Sequence, residues 1–297
     1  MLRFLFTRIS LIFVSLLVVS LAIFAVTEVL PGDVANMILG QGATPQDLAN
    51  IRRDLGLDRP ATVRYLDWIS HAMRGDLGDS YIQRRPIVEV VTDRLKNSAM
   101  LAVFAFLFSV PSAVFTGVVL GVRKDRWLDQ VVSLVSLVGI SMPEFVTGVV
   151  LIVIFATTFG ILPSSSIMMP GTSPLTRPEV MVLSTLTLTG AFFAYVMRMT
   201  RANVIDVLET NYVRTAILAG LPMRTVLLRH VVPNAMLPTI SIIALTSGWM
   251  LGGLIIVESV FAYPGVGSLV LTSITTRDVP LLQALALLIA VAYGISN

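Results

Sequence analysis

The chain carries two histidines, His71 and His230, two lysines, Lys96 and Lys124, and no cysteine. Each scarcity removes a chemistry. Without cysteine there is no disulfide framework and no thiolate metal site. A phosphate-cradling nucleotide loop ends in Gly-Lys-Ser/Thr. Lys96 follows Leu95 and Lys124 follows Arg123, so that loop is missing here. No two-histidine metal motif is present. What remains is of two kinds. Two carboxylates, Glu144 and Glu258, lie within or at the end of long apolar runs. A half-apolar stretch, NYVRTAILAGLPMRTVLLRHVVPNAMLP at residues 211–238, carries Arg214, Arg224, Arg229 and His230, a glycine break at Gly220 and prolines at 222, 233 and 238.

The elements that must hold these groups follow from composition. Of 297 residues, 55% are hydrophobic and 13% charged, with a mean hydropathy of +0.85. Soluble domains carry about 25% charged residues, so this is the composition of an integral membrane protein. The net charge of +3 is nearly all arginine, and no basic cluster is dense enough for nucleic acid. A membrane helix needs roughly 20 mostly apolar residues. Six stretches qualify: 9–29, 99–122, 131–155, 180–197, 237–257 and 281–297. The last is short, and the chain ends within it. The first is long for a signal-peptide core and no A-x-A site follows, so it reads as a retained span.

Charge sets the orientation. With the N-terminus inside, the inner segments hold Arg3, Arg8, Arg123, Lys124, Arg126, Arg198, Arg201, Arg214, Arg224 and Arg229, while the two short outer loops hold Arg177 and Arg277. The rest lie in the long segment 30–98, which is largely exempt from the positive-inside rule. Both termini and residues 198–236 are therefore expected to be cytoplasmic. His71 and His230 then fall on opposite sides of the bilayer, which leaves no serine–histidine pair for an intramembrane protease.

The outer segment reads as ordered. Thr44-Pro45-Gln46-Asp47 looks like a helix N-cap with proline at the first position, and Gly56 like the stop. Pro60 opens a second helix with Val63, Leu66, Ile69 and Met73 on one face and Gly75 at its end. These faces either pack on each other or form a cap that docks on the bundle or on an extracytoplasmic partner.

In the 211–238 stretch, Thr210 or Asn211 can cap a short helix over 212–219. Gly220 stops it, Pro222 starts the next at its first position, and Pro233 ends that one. A helix of about eight residues is not stable alone, so it must lie against something. Val213, Ala216, Ile217 and Gly220 share a small apolar face that suits a partner's groove, or the whole element rests on the lipid surface. Within the spans, Glu144 either lines a pathway and meets a substrate amine or makes an interhelical bond in a proline-kinked helix. Thr185 and Thr189, one turn apart, either line that pathway or bond their own backbone. Gly117-x-x-x-Gly121 and Gly248-x-x-x-Gly252 predict tight helix packing.

Several motifs, in order, resemble one family. Arg214-Thr215-Ala216, then Gly220, then Pro233 resembles the EAA loop of ABC-importer permeases, and YVRTA is similar to the variant in the oligopeptide/dipeptide/nickel permeases. Pro31-Gly32-Asp33, GLDRP at 56–60, RGDLG at 74–78, Ser141-Met142-Pro143-Glu144-Phe145, Tyr195-Val196-Met197-Arg198 and the run ESVFAYPGVG at 258–267 resemble further signatures of that family. The resemblance implies an all-α, six-span type I importer fold. Its expected parts are a first span (1–29), an extracytoplasmic helical segment (30–98) and a five-helix core (99–297) holding the coupling loop 200–236. It implies a bacterial inner-membrane transporter subunit without its own ATPase site, moving peptides or similar small solutes. The partners implied are a second permease chain, two ABC ATPase subunits that carry ATP and Mg, and an extracytoplasmic substrate-binding protein. Arg214, Ala216, Ile217, Gly220 and Leu221 would couple to the ATPase. Glu258, Pro264 and Gly265 would serve outer-face structure or docking. The alternative weighed is an ion-coupled secondary transporter, which tends to show a repeat between halves; the loops of the two halves show none.

Overall fold

The computed structural model describes residues 2–29, 39, 44–54, 56–169 and 172–296; Pro31-Gly32-Asp33 lies outside them. Helices account for the order: α1 (Leu2–Val29), α2 (Pro45–Asp54), α3 (Ala61–Ala72), α4 (Ile87–Val122), α5 (Trp127–Ser141), α6 (Glu144–Leu151, continued by a π turn at Ile152–Thr158), α7 (Glu179–Leu208), α8 (Asn211–Leu218), α9 (Met223–Val226), α10 (Val232–Val260), α11 (Val266–Thr275) and α12 (Val279–Ser296). Among the described residues the only β pairing is an isolated bridge, Asp79 to Pro86. An all-helical solution is what lipid demands, because each backbone N–H and C=O must be satisfied within its own segment.

Among the described residues four helices are long and apolar enough to cross a membrane: Phe6–Glu28, Ile87–Val122, Glu179–Leu208 and Met223–Val260. The third expected span, 131–155, is not one rod. It breaks into α5 and α6 with a 111° bend and makes a fifth crossing if the pair is counted together. The cause is local. Pro143 has no N–H and pushes the residue before it out of the α region; Met142 is extended at φ −88°, ψ 127°. The sixth stretch is a shorter apolar helix, and α11 ahead of it was not expected from sequence. The helix of the second expected span, α4, starts at Ile87, twelve residues before 99, and runs 36 residues over Pro111.

The chain divides into two compact units, 1–96 with 265–295, and 97–264. In the first unit α2 opens as its sequence predicts. Asp47 N donates to Thr44 Oγ1 and Thr44 N to Asp47 Oδ2, both at 3.2 Å. The Thr44 hydroxyl, donating at 2.6 Å, holds the Asp47 carboxyl below its ordinary range. In α3 the expected apolar face is not the packing face: Leu66 and Met73 are exposed. Tyr65 and Trp68 instead meet Phe24 of α1, at ring distances of 5.3 and 6.5 Å. The core of this unit joins Ile87, Val90 and Val91 to Val266, Leu269, Leu281 and Leu285. Buried Asp278 caps α12 through Leu281 N and also accepts from Ser80 Oγ and the amides of Tyr81 and Ile82. The second unit is built around α7, against which α5, α6 and α10 pack. Gly117 and Gly121 let α4 lie close on α7. A Cβ on Gly117 would stand 2.6 Å from the Met197 carbonyl oxygen, and one on Gly121 would stand 2.7 Å from Val204.

Candidate functional site

Between α7 and α10 the chain builds a short arm from small parts. Only Glu209 and Thr210 separate α7 from α8. Thr210 sits at the N-cap position, but its hydroxyl donates back to Val207 O at 2.6 Å rather than capping α8. After Leu218 the chain reverses at Gly220, whose φ is +79°. Gly220 N donates to Ile217 O at 3.0 Å and Leu221 N to Ala216 O at 3.3 Å. This pair of bonds is a Schellman closure, and its left-handed residue is glycine because it has no Cβ to clash. Pro222 stands one residue ahead of α9, at φ −62°, ψ 138°, rather than at its first position. Pro233 does not end the second helix, contrary to its sequence reading. Residues Met223–Val260 run on continuously, through a π turn at Leu227–Val231. The ring of Pro233 would strike the carbonyl four residues back, at Arg229. That carbonyl lies in the wider π turn, which accommodates the ring.

The arm is fastened by one side. Val213 is fully buried with Val204, Val226, Val231 and Ala235, and Ala216 packs against the same cluster. The expected partner-facing set of Val213, Ala216, Ile217 and Gly220 is therefore split. Val213 and Ala216 face this chain, whereas Ile217 and Gly220 face out. The open side also presents Leu218, 87% exposed, with Tyr212, Leu221 and Met223. Arg214 is exposed on the same helix. Among the described residues, its chain neighbours aside, no atom lies within 4 Å of a Cβ built on Gly220, so they do not make the close approach expected there. Leu218, Tyr212 and Met223 were missed because the stretch was read from its small residues. The signal available was periodicity: fixing Val213 inward puts Leu218, five residues on, on the far side of a 3.6-residue helix and leaves Ile217 at the flank.

The intramembrane groups divide. Glu144 opens α6 right after the break and is half-buried. A Cβ on Gly253 of α10 would stand 3.1 Å from Glu144 Oε1, so the carboxylate lies over a helix with no side chain at that point. Among the described residues Glu144 makes no hydrogen bond or ion pair. Thr185 is half-buried. Thr189 is buried, and among the described residues its Oγ1 has no hydrogen-bond partner. Thr187 between them bonds Leu183 O at 2.8 Å. Glu258 is fully buried and accepts from Ser98 Oγ at 2.5 Å. Beside it Tyr263, also fully buried, donates to Asn97 O at 2.9 Å, and Asn97 Nδ2 donates to Pro264 O at 2.9 Å. In the other unit Gly265 is buried at the start of α11, where its N–H donates to Ser268 Oγ at 3.2 Å.

The described residues thus form a helical membrane protein with a broken span and a self-anchored arm between two long helices. Residues 113–297 match the family model of the binding-protein-dependent transport system inner membrane component, and residues 1–102 match that of the binding-protein-dependent transport system membrane component, N-terminal. The chain is also similar to the glutathione transport system permease protein GsiC of Salmonella typhimurium, of Escherichia coli (strain K12) and of Shigella boydii serotype 4. Each is 34% identical over 297 residues, which is 100% of this chain and 94% of the relative. The chain belongs to the family of inner-membrane components of binding-protein-dependent transport systems, the peptide/nickel-type ABC-importer permeases. It is a permease of an ATP-driven importer and not an ion-coupled secondary transporter.

Proposed function

We propose that this chain forms half of the translocation pathway of a peptide importer and takes its power stroke through residues 211–233. The observation that carries the reading is the two-sided arm. A helix of eight residues has no stability of its own. Here Val213 holds it to the bundle while Ile217, Leu218 and Leu221 stand exposed. An apolar patch on an anchored helix is a docking surface. The occupant proposed is an ABC ATPase, two of which would carry ATP and Mg; this chain would bind no cofactor and hold no ATPase site. In that arrangement residues 198–236 and both termini are cytoplasmic, six segments cross the membrane, and a second permease chain supplies the other half of the path. A binding protein delivers substrate from outside. Short peptides, glutathione among them, are the substrate class proposed, in keeping with the named relatives.

Glu144, Thr185 and Thr189 are proposed to belong to the pathway. An unpaired carboxylate at membrane depth is costly unless it faces a cavity or a partner, and Glu144 lies at the 111° break between α5 and α6. Glu258, Pro264 and Gly265 are proposed as structure, since Glu258 and Gly265 are closed off by this chain's own atoms. The decisive experiment is co-purification of the ATPase subunits with the membrane-inserted permease. Leu218→Asp and Gly220→Trp are expected to abolish it with insertion unchanged, and Val213→Ala to weaken it by loosening the arm. Retained association and transport in both of the first two variants would end this reading.

A further inference from the structure

Helix α5 is held to the protein in an unusual way. Its packing partner is α7, yet the only two residues it buries are polar, Asp129 and Ser136. Its large side chains, Trp127, Leu134, Val135 and Val138 among them, are exposed. Its apolar packing is limited to partly buried side chains such as Val132, which lies on the cluster of Phe192, Val196 and Met197. Asp129 adds a buried, directional anchor. Only 2% exposed, it receives Arg201 of α7 in a two-pronged bond, through Nε and, at 2.5 Å, through Nη2. It also accepts Asp125 N at 2.9 Å and Ser133 Oγ at 3.4 Å. With its acceptor sites taken, the carboxylate fixes the α4–α5 corner and the start of α5 together. A planar fork on a carboxylate is directional as well as strong, which a lysine in place of Arg201 would not reproduce. Lys124 in the same corner reaches Glu209, at the foot of α7, at 2.9 Å.

The two ends of this clamp belong to elements of different kinds. Arg201 lies in the last turns of α7, which pass through Glu209 and Thr210 into the exposed arm and share the Val204–Val213 cluster with it. Asp129 starts the helix that ends at the 111° break before Glu144. We infer that the Asp129–Arg201 pair is the positioning link through which displacement of the α8 arm reaches the broken span. This rests on the arm's proposed role. A two-pronged ion pair whose carboxylate also holds Asp125 N and Ser133 Oγ resists rearrangement, and so it transmits displacement. Without it, α5 has only partly buried apolar side chains, Val132 among them, to carry it along with α7.

The absence of cysteine allows single labels to be placed cleanly. Spin labels on Thr215→Cys in α8 and, separately, on Phe145→Cys in α6 would be followed in the assembled importer with and without ATP and vanadate. In the parent protein both sites are expected to respond. Removing the Arg201 charge alone would strand the buried Asp129 carboxylate, so the informative variant is the neutral pair Asp129→Asn/Arg201→Gln, with Arg201→Lys as the conservative partner. In the neutral pair the Thr215 response and basal ATP hydrolysis should persist, the Phe145 response should vanish, and transport per ATP should drop about fivefold or more. Arg201→Lys should fall between. An undiminished Phe145 response in the neutral pair overturns the inference. So does failure of the neutral pair to assemble while Arg201→Lys behaves as the parent, since the pair would then serve folding alone. Silence at Thr215 in the parent would instead sink the arm's proposed role, and this inference with it.

Discussion

Two helix ends in residues 97–264 close by the same turn and live in opposite surroundings. At the end of α10, Ala262 N donates to Ser259 O and Tyr263 N to Glu258 O, and Ala262 is left-handed at φ 51°. At the end of α8, Gly220 N and Leu221 N make the matching bonds, and the left-handed residue is glycine. Around Ala262 everything is anchored. Phe261 and Tyr263 are buried, Glu258 takes the Ser98 hydroxyl, and Tyr263 bonds Asn97 O. Around Gly220 nothing is anchored on the outer side. A left-handed L-residue costs about 1–2 kcal/mol, and such strain persists only where the surroundings over-determine it. The buried end can tolerate an alanine. The open end, which has no packing to enforce its turn, relies on a residue that adopts the turn without strain.

The largest effect expected from breaking this contrast is at Tyr263. Tyr263→Ala removes a fully buried ring and the bond to Asn97 O, and large aromatic-to-alanine changes in cores cost about 3–5 kcal/mol. Thermal unfolding in detergent should show the loss together with reduced membrane abundance. Tyr263→Phe, which keeps the ring, should cost about 1 kcal/mol. If Tyr263→Ala left the melting temperature unchanged, the anchoring of the 258–263 turn would have been misassigned.

At Gly220 the expected effect is smaller and of another type. Gly220→Ala should cost about 1 kcal/mol in the turn, which is about fivefold in the local opening equilibrium. Because the arm opens without the bundle, the global melting temperature should stay put. Hydrogen exchange at the Gly220 and Leu221 amides should rise about fivefold. Asparagine, which tolerates the left-handed region, should be milder than alanine, and valine worse. A uniform response to all three would mean that the side chain, not the backbone, matters at this position.

The contrast also separates what the sequence revealed from what it concealed. Helix stops were legible at Gly56, Gly75 and Gly220, and the Thr44–Asp47 cap was legible, because each is a local rule about a few consecutive residues. The stop assigned to Pro233 failed because a π turn upstream made room for the ring, a compensation no residue type announces. The scale of the break at Pro143 was hidden for a like reason. Proline predicts a kink, but the angle depends on what the two halves then pack against. Residues 212–219 were placed as a helix correctly to within one position. The facing of that helix is not local: Val213 and Ala216 turn inward because Val204, Val226 and Val231, distant in sequence, come to meet them. The Asp129–Arg201 pair joins residues 72 apart, a separation at which nothing in the local pattern marks either as a partner.

The smallest predicted effect sharpens the contrast most. Ala262→Gly removes left-handed strain of about 1 kcal/mol but gives the unfolded chain back a freedom worth about 0.5–1 kcal/mol. The two should nearly cancel, leaving stability within about 0.5 kcal/mol of the parent by thermal unfolding in detergent. Ala262→Val keeps the chain stiff but adds a branched side chain at positive φ, and should lose more than the glycine change gains. A clear stabilisation by glycine would mean that packing around Phe261 and Tyr263 does not enforce the turn as strongly as burial implies. A clear destabilisation would mean that the Ala262 methyl itself makes a contact that the exposure of this residue does not reveal. Near-equality is the outcome that fits a turn set by its neighbours, in contrast to Gly220, where the residue has to set the turn itself.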